Sequence, residues 1–371
     1  MTSGLQGVVV CDTALSEVDG ERGQLTIAGL DVRELSLLPL AEVAEQLWSV
    51  SGPCPTASEL SLGFGQARLQ AFEICRQFET ALQTRSERAG LRLLLAALDR
   101  GAPALSRVEL VGAFPVFVAA LGRVARRQAL IAPDPNANAS HDCLRMLHGQ
   151  APTTAEERAL DSYWAAVCDH GLNASTFTAR VIASTGAELV PAVLGALGAL
   201  EGPLHGGAPG PVLDMLDAIG SQERADAWLE NELTSGRRLM GFGHRIYRVR
   251  DPRAEVLARV AGTLHSRYID LARAVEMRAL EWLRRHHPER RLDTNVEFYT
   301  ALVLDALGFP RALFTPVFAA GRVLGWLAHA EEQLRQGRLI RPESKYVGAR
   351  PAATQWAPTE VSSHRSERTK R

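Results

Sequence analysis

Four short stretches of this 371-residue chain hold side chains able to do chemistry. The run Asp169-His170-Gly171-Leu172-Asn173-Ala174-Ser175-Thr176 is a polar cluster opening a regular segment that continues to Ser184. In Gly202-Pro203-Leu204-His205-Gly206-Gly207-Ala208-Pro209 a histidine stands among glycines and prolines just before a helical pattern. There the backbone can approach a ligand closely, and free N–H groups favour an anion. Residues 240–253 (MGFGHRIYRVRDPR) combine two glycines, His244 and four arginines. Asn295-Val296-Glu297-Phe298-Tyr299-Thr300 puts a carboxylate at the front of a strongly apolar helix. Singly, each has a structural explanation: a helix cap, a loop histidine, a solvated basic face, a first-turn acid favoured by the helix dipole. Together they suit proton abstraction beside a carbonyl, with an anionic substrate held by guanidinium groups.

The rest of the chain narrows the class. Basic and acidic residues nearly cancel, 41 against 42, which argues against a nucleic-acid binder working through bulk charge. A hydrophobic content of 46% can fill a large core and is too high for a disordered chain. The longest uncharged apolar stretches, residues 110–122 and 189–200, fall short of the roughly 20 residues that a membrane helix needs. No secretory leader pattern is visible, so a cytoplasmic location is expected. Five cysteines form no CxxC pair and should be reduced thiols. Lys345 and Lys370 are the only lysines, so an anion site must use guanidinium forks and a lysine Schiff base loses support. HExxH, GxSxG, P-loop and complete GxGxxG patterns are absent, and no metal is expected.

Helical periodicity must position the four stretches. Apolar positions recur at three- and four-residue spacing over 67–99, 155–168, 211–219, 223–233 and 267–285. Strand signals are few: residues 7–14 and 24–27 flank SEVDGERG and read as a short hairpin. Residues 131–140 (IAPDPNANAS) are a loop by composition. From about Arg350 the chain turns polar, and its last eleven residues set Arg365, Arg368, Lys370 and Arg371 against Glu367. With no aromatic residues interleaved for stacking, this reads as a frayed basic tail. The fold class is all-α.

GPLHGGAPGPVLDML, MGFGHRIYRVRDPRA, NVEFYTALVLDALGFP and GRVLGWLAHAEEQLRQGRLIRPESKYVG resemble, in this order and spacing, segments of citrate synthases. DHGLNASTFTARVIASTGA and the opening GLQGVVVCDTALSEVDGERG are similar to two more. The resemblance runs from about residue 4 to residue 349 and is nearest to the short prokaryotic form, in a branch reading NVEF. It implies a two-domain helical fold with a small N-terminal β-hairpin. The large domain would cover 1–205 and 309–349, the small domain 206–308, and a flexible tail 350–371. It implies a homodimeric acyltransferase with no resident cofactor, condensing acetyl-CoA with oxaloacetate and hydrolysing citryl-CoA to citrate and CoA. Neither nucleic acid nor membrane is implied as a partner. Carried over by position, His205 would hydrogen-bond the thioester carbonyl, staying neutral beside a helix N-terminus. His244 would polarise the ketone, and Glu297 would take the methyl proton. His170, Arg253, Arg322 and Arg341 would hold oxaloacetate, the last reaching across the dimer. Met240, Gly241, Gly243 and Arg248 would bind CoA.

Three positions depart from the family's usual pattern. Glu297 stands where aspartate is most common, and the extra methylene moves the base by about 1.5 Å unless the backbone compensates. A branch of the family reads glutamate there, so an accommodated base is expected. Thr294 replaces a proline, and Ile27-Ala28-Gly29-Leu30 replaces an aromatic–Arg–Gly run. Two other readings stand beside this one. A 2-methylcitrate synthase would use propionyl-CoA, since one methylene in an apolar pocket is worth only about 1–3 kcal/mol. A regulator that binds CoA or oxaloacetate with little catalysis is the other. The remaining histidines read as surface or structural, with His329, about two turns after Arg322, expected nearest the site.

Overall fold

A computed structural model describes residues 5, 7–99, 101, 104–205 and 209–349. The tail over 350–371, and residues 206–208 beside His205, lie outside the described residues. Three short strands, β1 (Ser16–Asp19), β2 (Gln24–Ile27) and β3 (Leu30–Asp31), form one antiparallel sheet. The rest is helical: α1 (Val32–Leu35), α2 (Leu40–Ser49), α3 (Ala57–Leu82), α4 (Glu87–Leu98), α5 (Arg107–Ala125), α6 (Ala139–His148) and α7 (Thr154–Val167). These are followed by α8 (Ala174–Ala183), α9 (Leu189–Leu200), α10 (Pro209–Ile219), α11 (Ala225–Thr234), α12 (Pro252–Ala261), α13 (Ile269–His286), α14 (Val296–Ala306) and α15 (Phe314–Gln336).

The expected hairpin is present, but its first strand lies inside SEVDGERG and not in residues 7–14, because Ser16 pairs with Ile27 and Asp19 with Gln24. Asp19 Oδ1 accepts the backbone N–H groups of Glu21 and Arg22 at 3.1 and 2.9 Å, which closes the loop early. The departure at Ile27-Ala28-Gly29-Leu30 builds a second, two-residue turn. Ile27 pairs with Leu30, and Ala28 and Gly29 take φ of 49° and 84°, the positive pair that a type I′ hairpin requires.

The apolar pattern over 67–99 breaks into two helices, since Ser86 starts α4 by accepting from the Ala89 N–H. The 131–140 loop ends two residues early, at Asn138, where α6 begins. Helix starts carry much local information. Thr56 with Glu59, Ser106 with Glu109, and Thr153 with Glu156 each form a reciprocal capping box, and each cap is worth about 1 kcal/mol.

Helix α5 is buried from Leu110 through Gly122 and packs on α3, α4, α6 and α15. Among the described residues it is the one helix long and apolar enough to cross a membrane, and most of it is buried inside the protein. Around it, α15 packs on α7, α8 and α9, and α12 packs on α14. Leu229, Leu239, Ala279 and Leu283 make a separate small core between α11 and α13. The buried Arg68–Asp142 ion pair at 2.9 Å ties α3 to α6. Residues through Ile340 make one compact unit, and those from Arg341 make another. The described part of that second unit, 341–349, is exposed and has neither helix nor strand. All five cysteines are free thiols.

Candidate active site

The turn before α8 is clamped from both sides. Asn173 Oδ1 caps the helix by accepting the Thr176 N–H at 3.1 Å. Ser16 Oγ accepts the Gly171 N–H at 3.1 Å and donates to Asp169 Oδ2. This leaves His170 buried, its Nε2 3.2 Å from the Tyr247 hydroxyl and its ring 5.4 Å from that of His244.

The glycine-rich stretch and the start of α14 are stitched into one ribbon. Asn295 N donates to Gly241 O at 2.9 Å, Gly243 N to Asp293 O at 2.7 Å, and Asn295 Nδ2 to Gly243 O at 2.9 Å. Gly241 has φ of +83°, and a Cβ there would lie 2.8 Å from the Phe298 side chain, so only glycine fits. Asn295 also caps α14, its Oδ1 accepting the Glu297 N–H at 3.1 Å. Thr294 is accommodated here because its N–H, which proline lacks, donates to Asp293 Oδ1 at 2.8 Å. His244 Nδ1 accepts the backbone N–H groups of Ile246 and Tyr247 at 3.0 and 3.1 Å. Both bonds need the Nδ1 lone pair, so a neutral ring carries its proton on Nε2.

His205 reaches the cap of α8. Its Nε2 lies 2.8 Å from Ser175 Oγ and 3.2 Å from Asn173 Oδ1. Ser175 Oγ accepts from Trp326 Nε1 at 3.0 Å and donates to Asn173 Oδ1 at 2.8 Å. The two arginines are buried. Arg253 Nε and Nη2 hold Asp251 at 3.0 and 2.7 Å, which leaves Nη1. Arg322 Nε donates to Val167 O, and its guanidinium lies 4.9 Å from the Phe318 ring centroid.

These groups share one electrostatic neighbourhood. Burial, then the charges of Arg322 and Arg253, lower His205 to a pKa of about 4. Burial and Arg253 lower His244 to about 4, against an opposing pull from Asp251. Burial, Arg253, His244 and Arg322 push His170 well below the ordinary histidine value. All three rings are therefore neutral at pH 7. For His205 the causes are burial and two guanidinium groups; the helix start expected to act on it follows residues 206–208, which lie outside the described residues. Glu297 remains partly open, yet the atoms packed around its carboxyl raise its pKa, with Arg253 opposing. Burial lowers Arg322 to about 10, while burial of Arg253 is outweighed by Asp251 and its pKa rises.

Of the residues singled out from sequence, His170, His205, His244, Arg253, Glu297 and Arg322 thus act on one another, and Met240, Gly241 and Gly243 build the ribbon beside them. Arg248 is exposed at its edge, its N–H donating to Gly20 O at 2.9 Å. Arg341 belongs to the terminal unit and is exposed there. Four partners were missed: the Tyr247 hydroxyl, Asn173 and Ser175 as neighbours of His205, and Trp326. Asn173 and Ser175 did carry a signal, as a polar pair at a helix start, but it reads first as capping. His329 is fully buried behind His170, its Nδ1 3.0 Å from Arg180 and its Nε2 3.3 Å from Asp169.

A family profile described as "Citrate synthase, C-terminal domain" matches residues 4–343. "Putative citrate synthase 2" of Mycobacterium tuberculosis is 49% identical over 200 residues, a match spanning 54% of each chain, so this chain covers about half the length of that curated relative. "Citrate synthase" of Haloferax volcanii is 34% identical, over 93% of this chain and 95% of its own. Among solved structures, the citrate synthase of Thermotoga maritima has a TM-score of 0.82 at 32% identity, covering 99% of this chain and 100% of that one. A ternary complex of carboxymethyl coenzyme A and oxaloacetate with the Thermoplasma acidophilum citrate synthase has a TM-score of 0.84 at 25% identity, covering 97% and 98%. The chain belongs to the citrate synthase family.

Proposed function

We propose that this protein is a citrate synthase, condensing acetyl-CoA with oxaloacetate and hydrolysing citryl-CoA to citrate and CoA. The observation that carries the reading is the set of neutral histidines and one raised carboxylate gathered around two buried guanidinium groups. Glu297 takes a proton from the acetyl methyl group, a role to which a raised pKa is suited. The Ser175 hydroxyl, turning its one proton from Asn173 Oδ1 to His205 Nε2 at 2.8 Å, leaves Nδ1–H to bond the thioester oxygen as the enolate forms. A neutral donor serves here, because nearby guanidinium charge disfavours imidazolium. The enolate carbon attacks the oxaloacetate ketone carbon while His244 Nε2–H donates to the ketone oxygen and then delivers its proton. Arg253 Nη1, the Nη groups of Arg322 and the ring of His170 hold the dicarboxylate. Arg341 completes the site from the partner subunit of a homodimer. The segment 206–308 acts as a small domain closing over the large one (1–205 and 309–349), supported by the separate core between α11 and α13. A cytoplasmic setting suits the five free thiols.

The reading is tested by parallel release of free CoA from acetyl-CoA and propionyl-CoA with oxaloacetate. Citrate formation with acetyl-CoA preferred is expected. Preference for propionyl-CoA would make the enzyme a 2-methylcitrate synthase, and binding without turnover would make it a regulator.

A further inference from the structure

The N-terminal hairpin takes no part in the chemistry, yet its SEVDGERG run touches both histidine loops of the dicarboxylate half of the site. At one end, Ser16 Oγ donates to Asp169 Oδ2 and accepts the Gly171 N–H at 3.1 Å. One hydroxyl thus grips the residues on either side of His170. At the other end, Gly20 O accepts the Arg248 N–H at 2.9 Å, in the loop that carries His244. A Cβ on Gly20 would run into the Ile246 carbonyl, whose carbon would lie at 2.8 Å, and a Cβ on Gly23 would lie 2.6 Å from Val249 Cγ2. The hairpin turn and the 246–249 segment are therefore packed as closely as glycine permits. Leu15, Leu25 and Ile27 are fully buried and root the hairpin in the core.

The two grips are joined through the rings themselves. The Ile246 and Tyr247 N–H groups hold His244 Nδ1, and the Tyr247 hydroxyl lies 3.2 Å from His170 Nε2. A shift of 246–248 off Gly20 would move His244 and Tyr247 together, and release of Gly171 from Ser16 would let His170 turn away from both. A displacement of about 1 Å in a reacting group can cost a hundredfold in rate, so a site gains from a rigid support. Resting on the oxaloacetate reading above, we propose that the hairpin is a bracket that positions the dicarboxylate half of the site. Ser16 is the positioning residue for His170, and Gly20 is the positioning residue for the His244 loop. Together they fix the 5.4 Å separation of the two rings.

The test uses the full chain carrying Ser16→Ala, Ser16→Thr or Gly20→Ala, with Glu17→Ala, exposed on the same strand, as the control. Oxaloacetate is titrated by calorimetry, KM and kcat are measured for both substrates, and deuterium uptake is followed in peptides spanning 169–176 and 240–253. Ser16→Ala loses a hydrogen bond to a carboxylate, so oxaloacetate affinity should fall roughly tenfold. Its oxaloacetate KM should rise in parallel, its acetyl-CoA KM should hold, and uptake should quicken in 169–176. Ser16→Thr keeps the hydroxyl and should restore all of these. Gly20→Ala should quicken uptake in 240–253 and lower kcat. A merely structural hairpin would lower thermal stability in Ser16→Ala and leave its oxaloacetate KM unmoved. That result would overturn the bracket, as would an equal loss of affinity in Ser16→Thr or Glu17→Ala. A wild type that binds no oxaloacetate sinks the enzymatic reading instead, and unchanged uptake in both peptides would still remove the bracket.

Discussion

Replacing Ser175 with alanine should cripple His205 without moving it. In the native site Nε2 of His205 has two polar neighbours, Ser175 Oγ at 2.8 Å and Asn173 Oδ1 at 3.2 Å. The hydroxyl proton, 2.8 Å from Asn173 Oδ1, can turn to donate to Nε2 at the same distance, whereas the Asn173 oxygen can only accept. With the hydroxyl gone, the remaining acceptor holds the ring proton on Nε2 and strips it from Nδ1, the nitrogen that must donate to the thioester oxygen. Recovering the active tautomer costs about one hydrogen bond at a largely buried group, ~1–3 kcal/mol. That barrier corresponds to a loss of roughly 5- to 150-fold in kcat. The Trp326 indole N–H, bonded to Ser175 Oγ at 3.0 Å, loses its acceptor as well, so a modest drop in stability should accompany the effect. Steady-state turnover and exchange of the acetyl-CoA methyl protons should fall together, with oxaloacetate KM little changed. An unchanged kcat in Ser175→Ala, or a loss confined to oxaloacetate KM, would refute the tautomer reasoning.

Other consequences are equally direct. Asp142→Ala strands the buried Arg68, whose Nε donates to it at 2.9 Å, and should cost about 3–5 kcal/mol in denaturant unfolding with the site's kinetics otherwise intact. His205 and His244 titrate near pH 4 in the folded chain against an ordinary 6.5, so unfolding exposes groups that bind protons more readily. Their contribution is therefore complete above pH 6.5 and is lost as pH falls toward 4, by up to about 3 kcal/mol each; a His244→Asn variant should show a shallower acid limb of stability. Mixing an Arg341→Ala chain with a His244→Ala chain should restore activity, because some heterodimers regain one complete site. No recovery in verified heterodimers would remove Arg341 from the neighbouring site. Arg253→Gln should raise oxaloacetate KM and move the acid limb of activity upward, since Arg253 lowers Glu297 against the effect of burial.

Much of this was legible in the sequence, for identifiable reasons. Helices announce themselves by a three-to-four-residue apolar period, and the expected spans at 155–168, 223–233 and 267–285 match α7, α11 and α13 closely. The 67–99 pattern hid a break because Ser86 restarts a helix with the same period, so periodicity alone runs through it. The hairpin was placed correctly and its first strand was not. A loop closed by Asp19 through its own side chain leaves no mark in the apolar alternation. At the site, the charged and ring side chains stood out by type, and resemblance ordered them. What stayed hidden was how each is held. Nothing in the run around His244 says that two backbone N–H groups fix its tautomer, and nothing around Arg253 says that Asp251 occupies half its fork. Such bonds depend on loop conformation and on chain segments far apart in sequence. His329 was expected near the site from its spacing to Arg322, and it lies one hydrogen bond from Asp169.

The central claim, that Glu297 is the base of an acyl-CoA condensation, is tested by exchange of the acetyl-CoA methyl protons with deuterated water in wild type, Glu297→Gln and Glu297→Asp. The glutamine keeps the size and hydrogen bonding of the side chain but not the base, so exchange and condensation should both collapse, by roughly a hundred- to ten-thousandfold. Aspartate should exchange more slowly than wild type, because losing one methylene withdraws the carboxylate from the methyl group by about 1.5 Å. Wild-type exchange that survives in Glu297→Gln would contradict the assignment, and faster turnover in Glu297→Asp would show that glutamate is a handicap in this site.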